Sequence, residues 1–77
     1  MVPIRIDARG MKCPRPIIEV AKARRHGEAG APIEITADDL AFESDIRAWC
    51  DATGNSLVAL RRDGHVVTAV IAPGTPN

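Results

Sequence analysis

The sequence is nearly free of aromatic side chains, which make up 3% of it as Phe42 and Trp49. This shortage disfavours a nucleic-acid module that stacks bases on several exposed rings, and we expect no direct nucleic-acid binding. No apolar run approaches the ~20 residues of a membrane-spanning helix. Charged side chains at Arg5, Asp7 and Arg9 interrupt the apolar stretch that a signal peptide needs. We therefore expect a cytoplasmic protein without a membrane segment.

Cysteine is also scarce, with one residue at Cys13 and one at Cys50. Two cysteines are too few for the disulfide framework of a small secreted domain, and we expect two reduced thiols, a bridge between them being the alternative. The two histidines do not pair with them at zinc-type spacings, so the sequence predicts no metal site. Any chemistry must therefore come from one of these thiols.

The charges sum to zero over 77 residues but are segregated along the chain. Residues 1–25 hold seven basic and two acidic side chains, whereas residues 26–51 hold seven acidic and one basic. If folding keeps these segments apart, one face is positive and can steer an acidic partner; the alternative is that they intermix as ordinary surface charge. The length and the 45% hydrophobic content predict one domain, residues 1–77, with a flexible tail at 73–77.

The first half of the chain predicts a strand, a helix and a second strand. Residues 2–7 alternate apolar and polar side chains, the period of a half-buried strand. A loop follows, and two prolines then begin an apolar segment that predicts a helix over 14–25, closed by Gly27, because proline is tolerated in the first helical turn. Residues 33–36 form the second strand.

The second half predicts a helix and a hairpin. Asp38 or Asp39 is the expected N-cap of this helix, which Gly54 and Asn55 end. Its apolar positions form one continuous stripe: Phe42, Ile46, Trp49, Cys50 and Thr53.

Strands over 57–62 and 65–71 are joined by Asp63-Gly64, a strong hairpin signal. The resulting βαβαββ order predicts an α/β two-layer sandwich, with two helices on one face of a four-stranded sheet. The sheet should be mixed, because the β-α-β part admits parallel pairing and the hairpin must be antiparallel.

Cys13 is the candidate reactive residue, because it directly precedes the predicted first helix. If Pro14 opens that helix, Cys13 occupies the N-cap, where free N–H groups and the helix dipole stabilise a thiolate. Lys12 and Arg15 flank it and would lower its pKa further. The alternative is a small buried hydrophobic residue, which is the interpretation we give to Cys50 on the apolar stripe.

The residues around Cys13 carry the pattern D-x-x-G-x-x-C-P-x-P, and with it the chain resembles the TusA/SirA/YedF family of small sulfur-carrier proteins. The resemblance extends over residues 4–71. The pattern is carried by Asp7, Gly10, Cys13, Pro14 and Pro16. Some residues depart from those usual in the family without changing the cysteine itself, so they leave the sulfur chemistry intact and bear on which partner is bound: Met11, Leu40, Arg47 and Asn55.

The resemblance implies the same βαβαββ sandwich and a Cys13 that carries sulfur as a persulfide. The sulfur would come from a cysteine desulfurase or a rhodanese-like donor and pass to the thiol of an acceptor protein, as in 2-thiouridine synthesis on tRNA. It implies a carrier more than a stand-alone enzyme, with no cofactor besides the covalent sulfur. We expect a monomer in which Lys12 and Arg15 support the thiolate and, with Arg9, form the docking surface.

Two other functions compete with sulfur relay. A redox or regulatory module would use the same thiol as a switch, forming a sulfenic acid or a mixed disulfide, although no resolving cysteine lies near Cys13 in the sequence. A nucleic-acid binder would use the basic first segment, which the zero net charge and the few aromatic residues disfavour.

Overall fold

A computed structural model describes residues 2–27 and 30–74, and it has the predicted order of elements. The predicted flexible tail lies mostly outside the described residues, which end at Gly74. None of the helices in the described ranges is long and apolar enough to cross a membrane. The elements are β1 (Ile4–Asp7), α1 (Arg15–His26), β2 (Ile33–Ala37), α2 (Phe42–Thr53), β3 (Ser56–Asp63) and β4 (Val66–Ala72).

The four strands form one mixed sheet in the order β1-β2-β4-β3. β1 and β2 are parallel and are connected through α1, whereas β4 runs antiparallel to both β2 and β3. Both helices pack on the same face and contact each other. The predicted two-layer sandwich is therefore confirmed. Because β1 and β2 are parallel, their C-terminal ends lie at the same edge of the sheet, and the loops to α1 and α2 both start there.

The core lies between the sheet and the helices. Alternate residues of β2 and β4 point into it, which is the pattern expected of strands with one covered face. Phe42 and Ile46 of α2 and Val20 of α1 fill the space above them and are fully buried. Trp49 is half-buried and Thr53 is exposed, so the buried stripe of α2 is narrower than its sequence pattern predicts.

The hairpin turn is shifted by one residue from its predicted position. Asp63 pairs with Val66, so the two-residue loop consists of Gly64 and His65 and not of Asp63 and Gly64. Gly64 has a φ of 62° at the first loop position, where a tight hairpin requires positive φ. His65 is therefore an exposed loop residue.

The start of α2 also differs from the prediction, because neither Asp38 nor Asp39 is its N-cap. The N-cap is Ala41, which provides no side-chain hydrogen bond. The carboxylate of Asp39 instead accepts a hydrogen bond from the Ala41 N–H at 3.0 Å. Asp38 and Asp39 thus lie in the loop before the helix, and this places both carboxylates near the functional site.

The basic and acidic segments intermix on the surface. Arg5 from the basic segment pairs with Glu34 from the acidic segment at 3.1 Å, across the β1–β2 register. Glu34 also lies 3.8 Å from Arg61 of β3. The two segments therefore meet at the β1–β2 pair, in agreement with the alternative of intermixed surface charge.

Candidate functional site

Cys13 lies one residue outside the cap of α1, so its predicted place at the N-cap is wrong. The helix begins at Arg15 and its N-cap is Pro14, joined to Cys13 by a cis peptide bond. The Arg15 N–H donates to the Lys12 carbonyl oxygen at 2.9 Å, so it is already engaged. Pro16 is buried, which anchors this end of α1 in the core. The N-terminal end of α1 therefore follows Cys13 closely in the chain, but its first N–H group is not available to the sulfur.

Hydrogen bonds tie the loop that carries Cys13 to the second strand and to the loop after it. The Ala8 N–H donates to the Thr36 carbonyl oxygen at 2.7 Å. The Gly10 N–H donates to Oδ1 of Asp38 at 2.9 Å. Gly10 has a φ of 86°, which favours glycine at this motif position. The motif glycine and Asp38 together position the loop.

Replacing Asp38 tests this tether. Asp38→Ala removes the acceptor of the Gly10 N–H and should lower the free energy of unfolding by about 1 kcal/mol. Asp38→Asn keeps an acceptor oxygen at Oδ1 and should retain most of this free energy of unfolding. Amide hydrogen exchange should be faster at Gly10 in the alanine variant alone. Equal exchange at Gly10 in both variants would contradict the tether.

Asp7 and Arg9 form a local ion pair on the exposed surface. Arg9 donates from Nε to Oδ1 at 2.9 Å and from Nη2 to Oδ2 at 3.0 Å, and its backbone N–H reaches Oδ1 at 3.2 Å. These side-chain and backbone hydrogen bonds lower the pKa of Asp7 to about 2. The guanidinium of Arg9 is thus paired with the Asp7 carboxylate. Arg9 is not among the groups that shift the pKa of Cys13.

The charges that act on Cys13 are acidic, which reverses the expectation of a lowered pKa. Burial raises the pKa of the thiol to about 12, and the carboxylates of Asp45 and Asp39 contribute to this rise because they favour the protonated thiol over the thiolate. Lys12 and Arg15 do not contribute to this shift, and both are exposed. The prediction that they lower the pKa is wrong for the free protein.

The two cysteines occupy different environments and are both free thiols. Cys50 is 3% exposed in the core and is confirmed as a structural residue, whereas Cys13 is half-buried and packs against the edge of the core. Two surface clefts, of about 360 and 450 Å³, are lined by residues other than Cys13. Cys13 is therefore presented on a surface and not at the base of either cleft.

Sequence reasoning missed two residues of this site. Asp39 was expected to cap α2, and Asp45 was not expected to act on Cys13. They are 26 and 32 residues from Cys13 along the chain. Their effect on the thiol arises from the packing of α2 beside the motif loop, which no local pattern encodes. No group of three or more metal-ligating side chains occurs in the described ranges.

Comparison with known proteins places this arrangement in a family. Residues 4–72 match the family model for sulfurtransferase TusA. The chain is 32% identical over 69 residues to the proposed sulfur carrier protein YrkI of Bacillus subtilis, covering 90% of this chain and 92% of that protein. It is 31% identical over 69 residues to the proposed carrier YrkF of the same organism, covering 90% of this chain but only 37% of YrkF.

A solved structure agrees with the sequence comparison. The crystal structure of a SirA-like protein from Desulfitobacterium hafniense superposes with a TM-score of 0.78 at 30% identity, covering 94% of this chain and 99% of that one. The βαβαββ fold, the family model and the relatives agree. This chain belongs to the TusA family.

Proposed function

We propose that this protein is a sulfur carrier in which Cys13 holds sulfur as a persulfide and relays it between two partner proteins. The observation that carries the proposal is the presentation of Cys13, the half-buried thiol of the family motif, on a loop tethered to the body of the domain. The relatives YrkF, YrkI and a protein of Archaeoglobus fulgidus, 33% identical over 58 residues, are described as proposed sulfur carriers. The 2-thiouridine route on tRNA is one fate of the sulfur that the family resemblance implies.

The relay consists of two thiol exchanges at one atom. The Cys13 thiolate attacks the outer sulfur of a donor persulfide, a new S–S bond forms, and the bond between the two donor sulfurs breaks. The donor sulfur leaves with the electron pair and takes up the proton that Cys13 released. An acceptor thiolate then attacks the outer sulfur of the Cys13 persulfide and regenerates the Cys13 thiol. No net oxidant is consumed in either step.

A sulfur carrier needs a cysteine that partner proteins can reach, more than it needs an enclosed substrate site. Neither of these two surface clefts includes Cys13, so we expect recognition to depend on the docking of a partner protein around this residue. Both the carrier and the redox-switch functions need the Cys13 thiolate, so the raised pKa does not separate them. The switch is disfavoured because Cys50 is buried and no resolving cysteine lies near Cys13 in the sequence. We therefore favour the carrier function, in which the binding of a partner promotes the reaction at Cys13.

Intact-protein mass spectrometry tests the carrier role. The protein is incubated with a cysteine desulfurase and cysteine and, separately, with a rhodanese loaded from thiosulfate. We expect an adduct of one sulfur atom that reductant removes, present in the wild type and in Cys50→Ala and absent in Cys13→Ser. An adduct that persists in Cys13→Ser, or no adduct with either donor, would contradict the proposal.

A further inference from the structure

Leu40 is an apolar residue that lies in solvent, on the loop between β2 and α2. It is 88% exposed, more than any other large hydrophobic residue that the structure describes. The turn that carries it is held by two hydrogen bonds of 3.0 Å, from the Ala41 N–H to Oδ2 of Asp39 and from the Phe42 N–H to the Asp39 carbonyl oxygen. Phe42 is fully buried and anchors the end of this turn. Leu40 is therefore presented to solvent by a turn that the backbone holds in place.

The loop with Leu40 starts at the same edge of the sheet as the loop with Cys13. β1 and β2 are parallel, so the chain leaves both strands at this edge. The two loops are joined directly by the hydrogen bond from the Gly10 N–H to Oδ1 of Asp38, at 2.9 Å. Asp39, the neighbour of Leu40, contributes to the raised pKa of Cys13, in agreement with this placement. Leu40 and Cys13 therefore belong to one surface.

Val58 is also a largely exposed apolar residue, at 61%, but it lies at the opposite edge of the sheet. It follows Leu57, which pairs with Ile71, and Ile71 in turn pairs with Ile33, the first residue of β2. At ~3.3 Å per residue, β2 separates the two edges by about 13 Å. Leu40 and Val58 are thus similar in chemistry and both are exposed, but they lie at different distances from the reacting thiol.

Sulfur relay requires a partner protein to cover the surface around Cys13. The two reacting sulfur atoms must come within bonding distance, about 2 Å, so the partner closes over the residues beside the thiol. An interface of ordinary size covers about 800 Å² on each partner. On a molecule that measures 35 × 23 × 19 Å, such an area takes in most of the edge that carries both loops. A partner that reaches the thiol therefore meets Leu40 as well.

We propose that Leu40 is an apolar anchor of the surface on which sulfur-relay partners dock, and that such a partner carries an apolar recess beside its reacting sulfur. This inference rests on the proposed carrier function and names the chemistry of its partner. Burial of the leucine side chain removes apolar area from water, and the fixed turn keeps the loss of conformational freedom on docking small. A polar surface at this point is disfavoured, because its groups would lose water without gaining a hydrogen bond.

Sulfur loading by a protein donor, compared with attack on a small disulfide, tests this role. The donors are a cysteine desulfurase with cysteine and a rhodanese loaded from thiosulfate. The small probe is 2-hydroxyethyl disulfide, with which the Cys13 thiolate forms a mixed disulfide and releases one 2-mercaptoethanol thiolate. Intact mass gives the rates for the wild type, Leu40→Ala, Leu40→Met and the matched control Val58→Ala.

We expect Leu40→Ala to lower the rate of loading at subsaturating carrier by about tenfold, through a higher KM for the carrier at an unchanged kcat. Leu40→Met keeps an apolar side chain of similar volume and should retain most of the rate. Val58→Ala should be loaded like the wild type, and the rate with 2-hydroxyethyl disulfide should be the same in all four proteins. The difference between the wild type and Leu40→Ala should persist at high salt, because salt screens charges and not apolar contacts.

The docking surface and the carrier function can fail separately. Equal loading of the wild type and Leu40→Ala by both donors would overturn the docking role of Leu40 and leave the carrier function in place. An equal loss with 2-hydroxyethyl disulfide would also overturn it, because Leu40 would then act on the thiol itself. If neither donor loads the wild type, the carrier function fails and the docking proposal fails with it.

Discussion

Cys13 in the folded protein is expected to react with iodoacetamide about 30-fold to 60-fold more slowly at pH 7 than Cys13 in the unfolded chain. A pKa of about 12, compared with 9.0 for the ordinary thiol, lowers the thiolate fraction at pH 7 about a thousandfold. The more basic thiolate is intrinsically the better nucleophile, with a Brønsted slope of about 0.4–0.5, and this recovers part of the loss.

The pH profile separates this explanation from simple steric shielding. We expect the alkylation rate of the folded protein to rise about tenfold per pH unit through about pH 10. The rate of the unfolded chain should level off above about pH 9. A Cys50→Ala background leaves Cys13 as the reporting thiol, and mass spectrometry after timed quenching measures the rate. A folded protein whose rate levels off between about pH 8 and 9 would show that burial and the carboxylates of Asp45 and Asp39 do not hold the thiol protonated.

The same shift links folding to pH. Because the pKa of Cys13 is raised in the folded state, the folded protein favours the neutral thiol. This contribution is constant below the unfolded pKa, near 9, and stability falls as pH rises above it, since the unfolded chain then releases a proton that the folded chain retains. An unfolding series in urea from neutral to alkaline pH should show this decline, and Cys13→Ser should reduce it.

Phe42→Ala is expected to destabilise the protein by about 3–5 kcal/mol. Phe42 is fully buried at the first residue of α2, and its removal costs both the transfer of the ring from water and the cavity left behind. A chain of this length has a total stability of about 4–12 kcal/mol, so this one substitution takes a large share and unfolds part of the population in water.

Leu40 provides the matched control for Phe42. It lies two residues earlier in the chain and is 88% exposed, so Leu40→Ala should change stability by no more than about 0.5 kcal/mol. Urea unfolding followed by the fluorescence of Trp49, the single tryptophan, measures both variants. Similar losses in the two variants would contradict the assignment of Phe42 to the core and of Leu40 to the surface.

The Phe42→Ala substitution should also change the reactivity of Cys13. Phe42 begins the helix that holds Asp45, and its N–H is bonded to the carbonyl oxygen of Asp39. Loosening this end of α2 should disturb the positions of Asp39 and Asp45, which help to keep the pKa of Cys13 raised. We therefore expect Cys13 in the folded fraction of Phe42→Ala to be alkylated faster than in the wild type.

The order of the six elements follows from the sequence alone, because periods of two and of about 3.6 residues alternate along the chain and glycine and proline mark the boundaries. The sequence also predicted which of the two thiols is buried in the core. Cys13 stands among prolines and charged residues, whereas Cys50 lies on the apolar stripe of α2.

The electrostatics of the site were decided by the tertiary structure. The neighbours of Cys13 along the chain, Lys12 and Arg15, lie on the surface, while Asp39 and Asp45 act on the sulfur because α2 packs beside the motif loop. Position along the chain therefore predicted the wrong sign for the shift in pKa. Electrostatic interactions depend on distance in space and on solvent exposure, and only packing brings groups 26 or 32 residues apart to one atom.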